Sequence, residues 1–224
     1  LLKRLIKGVA QQHGMKATFM AKPYTDLAGN GMHIHMSLLD EKGKNVFSSP
    51  KDSTGSATLH HAIGGLLETM NESMAVFCPN ANSFKRFQPQ LFVAMAPTWG
   101  VDNRTVAIRI PTGPEEAKRL EHRISGADAN PYLVAAALLS GVHYGITKKI
   151  IPHKISTGDA NKDNPPSLPL NLFESLNTFK HSAFIKEYFG EDFSNHYHIF
   201  KSVEMERFNK HVTPLELDWY LRTV

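Results

Sequence analysis

The sequence predicts an α+β fold: a curved, mainly antiparallel sheet that carries a polar site, backed by helices, with a helical C-terminal third. Three observations lead there. Met32, Ile34, Met36 and Leu38 alternate with His33, His35 and Ser37, and residues 106–110 and 119–123 repeat the same two-residue period; this is the pattern of strands with one apolar face. The stretches Thr58–Val76 and Tyr132 to about Ile146 space their apolar residues for helices instead. From residue 171 onward the chain reads as helical and more polar.

The chain has 224 residues and a formal net charge of +4, enough for one domain with a sizeable core. We read 1–224 as one catalytic-type domain, with 151–170 as a surface loop and 171–224 as its helical C-terminal part. Cys78 is the single cysteine, so there is no intrachain disulfide framework, which fits a reducing cytoplasm. The longest apolar run, Leu133–Val142, is far shorter than the ~20 residues that span a bilayer, and no signal peptide is expected. Lys and Arg are scattered rather than blocked. That predicts small anionic ligands as partners, and neither nucleic acid nor membrane.

Leu2, Leu5, Ile6 and Val9 lie at helical spacing with no N-cap ahead of them, so the first residues read as the inside of a helix from a longer chain, ending at Gly14. Lys16–Met20 is predicted as a strand and Gly29–Leu39 as the next, turning at Glu41–Asn45 around Gly43 and returning through Val46 and Phe47. Lys51–Gly55 is a polar loop. In the Thr58–Val76 helix the interior pair Gly64 and Gly65 predicts close packing, since each costs roughly 1 kcal/mol against alanine. Pro79, Asn80 and Asn82 end that helix before Phe84-Lys85-Arg86-Phe87, where Arg86 can bury its stem and reach a cleft. Pro89 and Pro97 bracket a loop or edge segment. Asn103–Pro111 and Arg119–Ile124 are the remaining strands. Asp128 or Asn130 caps the helix from Tyr132, with Pro131 in its first turn. Thr213-Pro-Leu-Glu216 is a capping-box pattern opening a last short helix through Trp219 and Leu221.

Chemistry concentrates at Gly29-Asn-Gly-Met-His-Ile-His-Met-Ser37. Glycines at 29 and 31 allow close backbone approach to a ligand. On a strand His33, His35 and Ser37 share one face, a pattern that suits a divalent metal or a phosphate-bearing ligand and equally a plain pair of surface histidines. Arg119, Glu121 and Arg123 share another strand face, as a site or as a structural ion-pair ladder. A cupin-type metalloprotein also uses His-x-His on a strand, but Glu41 is too far along and the arginine strands are left without a role. No Walker loop, dinucleotide fingerprint or His-Glu-x-x-His helix is present.

Taken in order, Gly29-Asn-Gly-Met-His-Ile-His-Met-Ser37, Asn82-Ser-Phe-Lys-Arg86, Asn103-Arg-Thr-Val-Ala-Ile-Arg-Ile-Pro111, Arg119-Leu-Glu-His-Arg123 and Ala129-Asn-Pro-Tyr132 resemble the catalytic domain of the glutamine synthetase family. The resemblance implies an ATP-dependent ligase that joins ammonia or an alkylamine to the γ-carboxylate of L-glutamate through γ-glutamyl phosphate, with Mg²⁺ or Mn²⁺, in a homo-oligomeric ring. It matches His33 and Glu121 to ligands of one metal, and His35, Ser37, Arg109 and Arg119 to nucleotide or phosphate contacts. Gly29, Arg86 and Arg123 match contacts to glutamate, and Arg104 the arginine at the transferred phosphoryl group. Fixed guanidinium charge is what phosphoryl transfer needs.

Two departures shape the expectation. The family's small β-domain and its other metal-binding glutamates have no counterpart in this sequence, so the chain alone is expected to be inactive. Aligned through Pro89, Gln88-Pro-Gln-Leu-Phe-Val93 puts Phe92 where ammonia-using members carry a glutamate. A phenyl ring cannot take a proton from ammonium but can cover an alkyl chain. With Trp99-Gly and Ala127-Asp-Ala-Asn, this is similar to the γ-glutamylpolyamine synthetase branch. Glutamine synthetase proper is the first alternative, and a non-catalytic scaffold that keeps the fold is the alternative of another class.

Overall fold

The structure, a computed structural model, describes residues 1–88 and 91–224; Pro89, through which the flap was aligned, and Gln90 lie outside the described residues. Four short strands form one sheet in the order β1-β4-β3-β2: β1 Ile34–Met36, β2 Trp99–Val101, β3 Ile108–Ile110 and β4 Leu120–His122. β4 pairs antiparallel with both β1 and β3, whereas β2 pairs parallel with β3. The sheet is thus mainly antiparallel, as predicted.

The alternation in residues 32–38 sorts as its period requires. Met32, Ile34, Met36 and Leu38 pack against the core, while His33, His35 and Ser37 face outward. Only three residues of the predicted Gly29–Leu39 strand are regular strand. Its ends continue as isolated bridges, Gly31 to Gly126 and Leu39 to Asn45, around a turn at Gly43 with φ +76°. Lys16–Met20 carries no regular structure and pairs with no strand among the described residues, and so is not a strand as predicted. In Asn103–Pro111 the first half is a turn rather than strand, because Asn103 Oδ1 accepts from the Thr105 backbone N–H at 2.9 Å and curls the chain there.

The core lies between the sheet and the helices α2 (Ala57–Glu68), α3 (Met70–Phe77) and α4 (Pro131–Lys148), whereas α1 (Leu2–Gln12) buries no residue. The predicted Thr58–Val76 helix is two, broken at Thr69, whose hydroxyl donates back to the Gly65 carbonyl at 2.9 Å. Such back-bonding competes with the helical ladder. Ser56 caps α2 by accepting from Leu59 N, and Asn130, not Asp128, caps α4. Gly65 is where close packing is needed: a Cβ there would stand 2.2 Å from the Gly141 carbonyl oxygen. The remainder comprises α5 (Ala160–Asp163), α6 (Leu172–His181), α7 (Ala183–Phe189), α8 (Glu191–Asn209) and α9 (Pro214–Tyr220). The capping box at Thr213 and Glu216 is formed. The 151–170 stretch is irregular apart from α5, yet it is fastened to the outer sheet edge, with Ser156 N donating to Trp99 O at 2.9 Å. No helix among the described residues is long and apolar enough to cross a membrane.

Candidate active site

Sheet register builds the site. Across three strands His35 stands opposite Glu121, and Glu121 opposite Arg109. The next row, Ile34, His122 and Ile108, points the other way, into the core. His122 is fully buried against Phe77, ring centroids 4.4 Å apart, and burial pushes its pKa down to about 3. Adjacent residues of one strand therefore divide cleanly between packing and chemistry.

Glu121 is the hub, 2% exposed. Arg109 Nε donates to its Oε2, Arg123 Nη1 donates to its Oε1 at 2.8 Å, and His33 Nδ1 lies 3.1 Å from Oε1. His35 Nε2 is 3.9 Å from the same oxygen. Burial by itself pushes the Glu121 carboxyl up, but the Arg109 hydrogen bond and the charges of Arg123 and Arg109 outweigh it, and its pKa lies below the usual carboxylate value. Burial and the Arg123 charge push His33 down, keeping it neutral and able to donate a lone pair. Asp102 Oδ1 takes Arg109 Nη1 at 3.0 Å, so Arg109 is held at both ends. Residue order offers no reason to single out Asp102; its role comes from a left-handed backbone (φ +46°) in the β2–β3 turn, which residue spacing does not reveal.

The other predicted residues arrange themselves around this hub. Arg119 Nε donates to His35 Nδ1 at 3.2 Å, with Ser37 exposed on the same strand face. Arg104 is exposed in the β2–β3 turn, and its carbonyl accepts from Arg123 Nη2 at 3.1 Å. Arg86, 2% exposed, ends the 3-10 turn Ala81–Arg86 and donates to Ile124 O at 3.1 Å. Burial lowers its pKa. Its stem lies on Gly29, where a Cβ would come 2.7 Å from Arg86 Cγ. Here glycine is needed for space.

A cavity of about 610 Å³ is lined by Gly29, Gly31, His33, Arg86 and Arg123 together with the apolar Leu91, Phe92 and Val93; Glu121, Arg109, Arg119, His35 and Arg104 lie outside its lining. Arg123 Nε is buried with no hydrogen-bond partner among the described residues. Among the described residues no group of three or more His, Cys, Asp and Glu side chains is placed to hold a metal ion. His33 and Glu121 together offer two donors, a fit for part of a divalent coordination shell.

A fold of this kind, with an arginine-ringed carboxylate and histidines on an adjacent strand, defines an anion-handling site suited to carboxylate and phosphate chemistry. The family model for the glutamine synthetase catalytic domain matches residues 1–220. The chain is 39% identical over 221 residues to gamma-glutamylputrescine synthetase PuuA of Escherichia coli (strain K12), covering 99% of this chain and 47% of that protein. It is also 39% identical over 225 residues to glutamate–isopropylamine ligase of a Pseudomonas species, covering 98% and 49%. Proteins named glutamine synthetase match too. Among solved structures, apo GmaS without ligand superposes with a TM-score of 0.88 at 32% identity, covering 99% of this chain and 52% of that one. The chain belongs to the glutamine synthetase family and has its catalytic-domain fold. It spans about half the length of the curated relatives it matches.

Proposed function

We propose that this chain is the catalytic-domain portion of an ATP-dependent ligase that joins an alkylamine to the γ-carboxylate of L-glutamate. The γ-carboxylate oxygen attacks the terminal phosphorus of ATP and ADP leaves. The amine nitrogen then attacks the acyl carbon, phosphate leaves, and the nitrogen gives up a proton as the amide forms. The observation that carries this reading is one cavity whose lining combines two arginines, Arg86 and Arg123, with the apolar Leu91, Phe92 and Val93. The arginines suit the glutamate carboxylates, Gly29 lets substrate reach the backbone, and the apolar lining suits a hydrocarbon chain on the amine.

His35, Ser37, Arg109 and Arg119 lie along the sheet from that cavity and are assigned to nucleotide phosphates, with Arg104 at the transferred phosphoryl group. Mg²⁺ or Mn²⁺ would be held by His33 and Glu121 with donors from outside this chain, and would neutralise phosphate charge. For that, Glu121 must loosen its bonds to Arg109 and Arg123, and Asp102 keeps Arg109 anchored when it does. The apolar residues exposed on α8 and α9 support assembly into a homo-oligomeric ring. We place the protein in the cytoplasm.

The test is phosphate release by the full gene product with ATP, Mg²⁺ and L-glutamate, comparing putrescine, isopropylamine and ammonium. Turnover with an alkylamine and little with ammonium is expected. Strong turnover with ammonium would make it a glutamine synthetase proper; none with any acceptor would favour a scaffold. Residues 1–224 alone are expected to release no phosphate.

A further inference from the structure

We propose that Asp128 is a positioning residue: it fixes the turn that carries Arg86, and through that turn sets where the guanidinium meets a substrate carboxylate. The proposal rests on the reading of Arg86 given above.

Arg86 has little freedom of its own. It ends a 3-10 turn of six residues, an element with weak internal hydrogen bonding that needs outside support. Asp128 Oδ2 supplies it, accepting from Asn80 Nδ2 at 2.8 Å and from Ser83 Oγ at 2.6 Å. Ser83 Oγ in turn accepts from the Asn80 backbone N–H at 3.0 Å. The N-terminal half of the turn is thus tied to one carboxylate oxygen. Bonds to an ionised acceptor are roughly twice as strong as neutral ones.

The carboxylate is itself held. It sits in the loop between β4 and α4, where Gly126 N donates to Phe77 O and Ala127 N to Asn30 O, both at 3.0 Å. Gly126 is the meeting point: a Cβ there would lie 2.2 Å from Asp128 Oδ1 and 3.3 Å from Arg86 Nη1. Asp128 and the Arg86 guanidinium therefore both crowd the one position a side chain on Gly126 would take. On the far side of the network Lys201 Nζ, on α8, donates to Asn80 Oδ1 at 3.2 Å. The turn that carries Arg86, the strand-to-helix loop and α8 share one polar connection. Helix capping does not account for Asp128, since Asn130 caps α4.

The experiment uses the full gene product in steady-state phosphate release with ATP, glutamate and the acceptor that turns over. Asp128→Ala is expected to raise KM for glutamate about tenfold or more, with kcat and KM for ATP within about threefold, because small displacements of a substrate-binding group weaken binding steeply. Asp128→Asn keeps an oxygen with two lone pairs and is expected to restore most of the loss. Ser83→Ala, which removes one of the two donors, should move KM for glutamate the same way by less. It decides the matter if Asp128→Ala does not fold. Arg86→Lys serves as the reference, and the double variant Arg86→Lys/Asp128→Ala should be no worse than Arg86→Lys alone. If Arg86→Lys raises KM for glutamate while the folded Asp128→Ala and Ser83→Ala do not, positioning by Asp128 is wrong. Equal rises for glutamate and ATP in the Asp128 variants would overturn it too, as a general loosening of the fold. If Arg86→Lys itself leaves KM for glutamate unchanged, the carboxylate reading of Arg86 falls, and this proposal with it.

Discussion

Helices α2 and α4 meet backbone to backbone, whereas α8 and α9 turn most of their apolar residues outward. Gly65 and Gly145 lie so close to the facing helix that a Cβ on Gly145 would stand 2.1 Å from His61 O. In α8 the only buried residue is Ser194, in α9 there is none, and Ile199, Phe200 and Trp219 are all more than half exposed. Stability is therefore concentrated in the layer beneath the sheet; α8 reaches it through Phe193, Tyr197 and Met205, and α9 has no buried residue.

The sharpest way to break this contrast is Gly145→Ala, which must push α2 away from α4. Overpacking of this kind costs about 1–3 kcal/mol, and the urea midpoint should fall with an unchanged slope. Next comes Asn130→Ala, which leaves the Tyr132 and Leu133 backbone N–H groups without their cap; a loss of about 1 kcal/mol is expected in the same measurement. On the other side of the comparison, Phe200→Ser on α8 should change stability by no more than about 0.5 kcal/mol. A drop of several times that would show the C-terminal helices to be part of the cooperative core.

The smallest effect is local. Glu216 has its pKa lowered by the hydrogen bonds from the Thr213 backbone and side chain, so its ionised form favours the folded start of α9. That contribution is present above the ordinary carboxylate pKa and is lost as pH falls through the lowered value. Amide protection in α9, taken relative to the intrinsic exchange rate at each pH, should fall over that acid range, and Glu216→Gln should abolish that pH dependence.

Much of this was legible from residue order. Alternation at 32–38 placed both histidines and Ser37 on one face, and the spacing of Arg119, Glu121 and Arg123 put a carboxylate between two arginines, because strand period alone dictates it. Register was not legible. Nothing local announces that Arg109 faces Glu121 or that Trp99–Val101 adds a parallel strand, since pairing is decided by partners distant in sequence. Lys16–Met20 failed as a strand for the same reason: it has strand-like residues but no partner. Asp102 carries no signal of its own in the sequence and Asp128 reads there as a helix cap, because what matters in each is a turn conformation and a distant contact.

The slot around Arg86 has a consequence for the order of folding. Its walls come from Gly29, Gly31 and Gly126, and its carbonyl partner, Ile124, lies 38 residues along the chain. No local segment can pre-form it, and the guanidinium must shed its water only once all three stretches have converged. Contacts that need several loops closed at once form late. Substitutions in the slot should then speed unfolding more than they slow folding, making Arg86 among the last side chains to reach its place.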